Sequence, residues 1–154
     1  MIYVVIAALV VAADGLMKGW VVENIPEYGE HAFLPGIMSL TNHHNYAAAF
    51  SLFGSLRVPI LILTGIFVLV VIWALITDKL PGIFPRVLAG MVLGGAVGNA
   101  VDRLTRGYVV DMFRTDFVNY AIFNVADIFI SCGGALFCIC LIFGKSFRET
   151  RLRK

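Results

Sequence analysis

Charge is scarce in this chain. Only 14% of its 154 residues are Asp, Glu, Lys or Arg, and the formal net charge is +2. So small a balance provides no basic face for a phosphate backbone, and nucleic acid is not expected as a partner. Cysteine is scarce too. Cys132, Cys138 and Cys140 fall in one apolar run, at a spacing that matches no zinc or redox pattern. On a helix Cys138 and Cys140 point to nearly opposite sides, so all three are expected to be small buried apolar residues. The histidines, His31, His43 and His44, have no acidic cluster beside them. Neighbours on a strand also face opposite ways, so no metal site is expected. There is no internal repeat and no low-complexity segment.

Apolar residues are abundant. They make up 60% of the chain, against roughly 45–50% in soluble proteins. The length suits one compact unit rather than two domains, so residues 1–154 are expected to form a single integral membrane domain. Four runs are candidate spans: Ile2 to Val22, Val58 to Thr77, Val87 to Val101 with its polar end reaching Arg103, and Ala121 to Phe143. The second has no charge in twenty residues, close to the roughly 20 that a bilayer requires. The first lacks a basic leading region and contains Asp14 and Lys18, so it is expected as a retained span rather than a cleaved signal peptide. The chain therefore reads as an all-α membrane protein.

Basic residues set the orientation. Lys79, Arg86, Lys145, Arg148, Arg151, Arg153 and Lys154 lie on one side, and Arg57, Arg103, Arg106 and Arg114 on the other. Seven against four predicts both termini in the cytoplasm, with residues 144–154 as a solvated tail. Residues 23–57 and 104–120 are then the outer segments. The first contains a strand-like stretch, IMSLTNHHNYAAAFSLF, and in the second YVVDMF reads as extended.

The charges within the spans gather at one depth. At about 1.5 Å per residue, Asn99 and Arg103 lie about 18 and 24 Å up span three. Asp127 lies about 24 Å up span four, with Asn124 slightly higher, and Asp14 and Lys18 about 20 and 26 Å up span one. All approach the outer boundary of a hydrocarbon core about 30 Å thick. Gly95, Asn99 and Arg103 form one ridge on span three, and Gly90, Gly94 and Gly98 form a neighbouring row of small residues suited to close helix approach. On span four Asn124, Asp127, Ser131 and Gly134 share a face.

Part of this charge has a structural reading. Asp14 with Lys18, and Asp102 with Arg103, are candidates for mutual neutralisation, and Lys18 and Arg103 also suit snorkelling to head groups. Asp127 is different: no basic residue follows it within seventeen positions. Asp111 lies on an extended segment able to fold back over the helix ends. Two carboxylates held close at a partly dry boundary share a proton, which supplies both a general base and a general acid. A structural pair fits the same spacing. Two rival classes are open, a transporter or proton-conducting protein and a small packing subunit. Neither fits as well. The inner halves of spans three and four are nearly all apolar, and packing alone gives no reason for Asn124 and Asp127 on one face.

Five pieces occur in register: DGLMK at 14–18, NYAAAFS at 45–51, GGAVGNAVDR at 94–103, GYVVD at 107–111 and FNVAD at 123–127. Together they resemble the bacterial lipoprotein signal peptidases (signal peptidase II) over nearly the whole chain. The resemblance implies four transmembrane helices with a small β-cradle in the outer segments. It also implies an aspartic endopeptidase of the cytoplasmic membrane, with its active site at the outer face. The substrate would be a diacylglyceryl-modified prolipoprotein, cut just before the lipid-bearing cysteine. Asp111 and Asp127 would be catalytic, with Asp14, Lys18, Asn45, Asn99, Arg103 and Asn124 as supporting or substrate-binding residues. No cofactor or metal would be needed, and the enzyme would act as a monomer among membrane lipids. One departure is Ala47, where the family pattern N-x-G-x-A-F has Gly.

Overall fold

A computed structural model describes residues 1–46, 57–80 and 82–152. Ala47, and the part of the strand-like stretch that follows it, lie outside the described residues. The order of elements is α1 (Ile2–Asn24), β1 (Glu30–Leu34), β2 (Met38–Asn45), α2 (Arg57–Ile76), α3 (Ile83–Thr105), β3 (Val109–Thr115) and α4 (Val125–Leu152). Each of the four helices contains a stretch long and apolar enough to cross a bilayer, and the three strands form one antiparallel sheet, β1-β2-β3.

Helix α3 is the axis of the bundle and packs against the other three. The glycine row explains how closely. A Cβ on Gly90 would lie 2.6 Å from the Tyr3 carbonyl oxygen, and one on Gly94 2.6 Å from that of Ala7, so this row seats α1. A Cβ on Gly95 would lie 2.6 Å from the Ala126 carbonyl oxygen, which places α4 on the adjacent face. The packing glycine of α4 itself is Gly133, set against Val92 and Met91, whereas a Cβ on Gly134 would meet open space. Helix α2 turns most of its large apolar side chains outward, among them Ile62, Leu63, Ile66 and Leu69. An all-round apolar helix with so little buried surface is a lipid-facing one.

Several boundaries differ from those expected. Helix α3 begins at Ile83 rather than 87, because Pro85 falls in the first turn, where its missing N–H would have had no partner. Helix α4 begins at Val125 rather than 121. Just before it, Phe123 is bridged to Phe113 of β3. Helix α4 itself continues to Leu152, past the apolar stretch that ends at Phe143. The cysteines are not core residues. Cys132 and Cys138 are exposed and Cys140 is half-buried, because only one side of α4 meets the bundle.

The sheet sits over one end of the bundle. Val21 and Ile25 from the end of α1 form a core with Leu40, Val110 and Met112. Asn42 Nδ2 donates to the Ile25 carbonyl at 2.8 Å, and the Tyr28 N–H donates to the Asn42 carbonyl at 2.9 Å. Strand β1 was not foreseen; all five of its residues are exposed, so it lacks the alternation that marks a half-buried strand.

Candidate active site

Asp111 lies in β3 and Asp127 in the first turn of α4. Asn124 precedes that helix and caps it, so it belongs to the turn and not to a shared helical face. Its Oδ1 accepts the Asp127 N–H at 2.9 Å, while Asp127 Oδ2 accepts the Asn124 N–H at 3.2 Å. This reciprocal box satisfies two amides that have no partner inside the helix, and it fixes the Asp127 carboxylate.

The capping residue also reaches the sheet. Asn124 is fully buried, and its Nδ2 donates to Asp111 Oδ1 at 2.6 Å and to Asn99 Oδ1 at 3.1 Å. Asn99 Nδ2 donates to Asp127 Oδ1 at 2.8 Å, and Asn45 Nδ2 donates to Asp111 Oδ2 at 2.8 Å. All four carboxylate oxygens therefore accept a hydrogen bond from an amide. Amides fix the positions of the two acids, with no direct ion pair at either one among the described residues. A short chain of amides on three elements holds them beside each other.

Below this layer the charges pair. Lys18 is 1% exposed, and Nζ reaches Asp14 Oδ2 at 2.7 Å, Asp102 Oδ2 at 3.0 Å and Asn99 Oδ1 at 3.0 Å. All three of its donors are used, which rules out snorkelling. Asp14 Oδ1 also accepts the Ala126 N–H at 2.9 Å, so a carboxylate from α1 meets the positive end of α4. The expected pair of Asp102 with Arg103 does not form. Neighbours in sequence diverge by about 100° on a helix, and Asp102 turns to α1 with the glycine row. Its Oδ1 pairs with Arg106 Nε at 3.2 Å, and its Oδ2 accepts the Val110 N–H at 3.1 Å. Arg103 instead donates to the Asn99 carbonyl at 3.2 Å and turns toward the two acids.

A cavity of about 780 Å³ opens beside the pair. Asp111, Asp127, Asn45, Asn99 and Arg103 line it together with Tyr120, Ile122, Ile128 and Ile130. That is large enough for several residues of extended peptide, and the lining is both polar and apolar. Burial is the main force on the Asp111 carboxyl and pushes it up to about 6. The bond from Asn45 opposes the rise, the Asp127 charge adds to it, and Asn124 and Lys18 oppose it.

The structure brings together all eight residues singled out from sequence, and adds two. His43 stands directly opposite Asp111 in the β2–β3 register and lines the cavity. The two-residue period of a strand would have found it, since Asn45 and His43 share a face. His44 turns elsewhere: its Nδ1 lies 3.0 Å from Glu27 and its ring stacks on Tyr108 at 3.9 Å. Asp102 is the other addition, and its signal was the row 90, 94, 98, 102 at helical spacing.

Fold and site define a polytopic membrane protein with an enzyme-like polar pocket at one end of its bundle. Residues 6–143 match the family model for Signal peptidase (SPase) II. A lipoprotein signal peptidase of Lactococcus lactis is 38% identical over 141 residues, covering 92% of this chain and 93% of that one. One from Enterococcus faecalis is 42% identical over 126 residues, covering 82% of this chain and 78% of its own. A solved bacterial membrane enzyme, determined by the in meso method at 1.9 Å resolution, superposes with a TM-score of 0.83 at 28% identity. It covers 90% of this chain and 91% of its own. This chain belongs to the signal peptidase II family, the membrane-bound peptidases of lipoprotein processing.

Proposed function

We propose that this protein is an aspartic endopeptidase that removes the signal peptide from diacylglyceryl-modified prolipoproteins. The cut falls just before the lipid-bearing cysteine, and Asp111 and Asp127 are the catalytic residues. The observation that carries this reading is the pair itself: two carboxylates linked through one buried Asn124 amide, beside a half-apolar cavity at the sheet end of the bundle.

The chemistry follows from the surroundings. Asp111 is the member whose burial favours the protonated form, so it donates a hydrogen bond to the scissile carbonyl. Asp127 takes a proton from the attacking water. The tetrahedral intermediate then collapses as Asp111 passes its proton to the leaving amine. Arg103 stands beside the developing charge. Asn45, Asn99 and Asn124 keep both acids in register, and Lys18 with Asp14 anchors Asn99 and the start of α4. The reaction requires no metal or cofactor.

The substrate's apolar signal helix enters sideways from lipid along the Ile122 and Ile128 wall. Cleavage occurs where that helix ends and the acyl chains begin. In this reading the chain is one integral domain acting as a monomer. The sheet end faces outward and both termini lie in the cytoplasm, a reading supported by the excess of basic residues on the side of the termini. The test is a cleavage assay on a diacylglyceryl-modified prolipoprotein in detergent or vesicles. Mass spectrometry should find a product beginning at the modified cysteine. Cleavage at another bond, or none by folded protein, would overturn the reading.

A further inference from the structure

The sheet carries a second apolar feature at the end away from the carboxylates. Two tips lie side by side there. The β1–β2 turn is closed by Ile37 N–H donating to the Leu34 carbonyl at 2.9 Å, and Gly36, at φ 75, supplies the left-handed residue the turn requires. The β3–α4 loop folds against it, with the Asp116 N–H donating to the Ile37 carbonyl at 3.0 Å. Thr115 Oγ1 donates to the Val118 carbonyl at 2.8 Å within the same loop. Both tips are thus pinned by hydrogen bonds, yet Phe33, Leu34, Ile37, Phe117 and Val118 are between 46% and 71% exposed. A soluble surface rarely leaves a contiguous apolar patch beyond a few hundred Å² uncovered.

We propose that these two tips dip into the leaflet on the sheet side of the membrane and anchor the sheet to the bilayer surface. Two features favour lipid over a protein partner. The first is that the charged side chains near the tips are neutralised. Arg114, one position behind the Met38–Thr115 pair, is paired with Glu30 and Asp116, and Ser39 Oγ donates to the Asp116 carboxylate at 2.9 Å. Exposed apolar side chains beside neutralised charges suit the boundary between acyl chain and head group. The second is the neighbouring surface. The loop returns through exposed Tyr120 to α4, whose outward side chains Ile128, Leu136 and Ile139 face lipid. Exposed apolar side chains therefore recur from helix to loop, interrupted at Asn119. Strand β3 carries Asp111 near one end and feeds the tip at the other, so the anchor would hold the acid at the level of the bilayer surface.

The test measures depth and does not depend on catalysis. Cys132, Cys138 and Cys140 are replaced by Ala, and a bimane label is placed at Ile37→Cys or Phe117→Cys. The protein goes into phosphatidylcholine vesicles carrying bromine either near the head group or near the chain end. Ile66→Cys, mid-span on α2, is the lipid reference, and Lys79→Cys, in the α2–α3 connection, is the aqueous one. Both tip labels should lose most of their fluorescence, more with bromine near the head group than near the chain end. A Phe117→Ser/Val118→Ser background should relieve quenching at Ile37→Cys. Tip labels quenched no more than Lys79→Cys would overturn the proposal and leave the patch to a protein partner. The single-label readings decide it even where the double variant folds poorly.

Discussion

Asn124 carries two separable duties, and a pair of substitutions distinguishes them. Asn124→Ser keeps a hydroxyl able to cap α4, since Ser serves as well as Asn at that position. It removes the amide donors to Asp111 Oδ1 and Asn99 Oδ1. Asn124→Ala removes both functions. The cap contributes about 1 kcal/mol, and a buried hydrogen bond to a charged group about 1.5–3 kcal/mol. Both variants should therefore melt lower in detergent, and Asn124→Ala should fall below Asn124→Ser by the share of the cap, about 1 kcal/mol. Cleavage should fall by about ten- to a hundredfold in Asn124→Ser, if the lost bond is expressed in the transition state. The pH profile provides a check that misfolding would not imitate. Asn124 opposes the rise in the Asp111 pKa, so its loss should move the alkaline limb of kcat/KM to higher pH. Asn124→Ser with wild-type turnover and an unshifted profile would refute the bridging role.

Other outcomes follow from the same geometry. Asp111→Asn and Asp127→Asn, each alone, should cut cleavage by at least ~10²-fold in well-folded protein, and turnover near wild type by either would remove that residue from the pair. For the free enzyme, the alkaline limb should fall near pH 6, where Asp111 gives up its proton, and a pH–rate profile of kcat/KM measures it. Asn45→Ala removes a bond that lowers the Asp111 pKa, so that limb should shift upward, and a downward shift would contradict the assignment. Gly94→Leu should destabilise the fold, because even a Cβ there meets the Ala7 carbonyl at 2.6 Å, and unchanged melting in detergent would refute the close approach.

The spans were legible because a bilayer demands length and apolarity, and both can be counted. The small-residue row was legible for the same reason, as helical spacing places Gly90, Gly94 and Gly98 in line. Reading failed where tertiary choice overrides spacing. Asp102 belonged to that row, yet adjacency suggested Arg103 as its partner, although helical neighbours diverge. Gly133 and Gly134 differ by one position, and only the approach of Val92 decides which one packs. The sheet was half visible. Strand β2 has a register shift between Leu40 and His43, so simple alternation does not give its faces, and fully exposed β1 has no pattern at all. The carboxylates were legible as isolated oddities. Their linkage through Asn124 was not, because it requires knowing that α4 starts at Val125.

The position of that helix start explains why the site lies where it does. Were α4 to begin at 121, Asn124 would be an interior residue with its own backbone N–H engaged in the helix. Its side chain would be one polar group on an apolar span. As the cap it stands outside the helix, free to turn one end to Asp127 and the other to β3. Asp14 reinforces the same boundary by accepting the Ala126 N–H from across the bundle. The polar layer is therefore assembled from several elements: the second halves of α1 and α3, the first turn of α4 and the strands above them. Deeper in the bundle, unbroken helices satisfy their own backbones and leave little to pair with water. A through-path for ions would need polar groups along that depth. This arrangement concentrates them in one layer, where water, a peptide bond and two acids can meet.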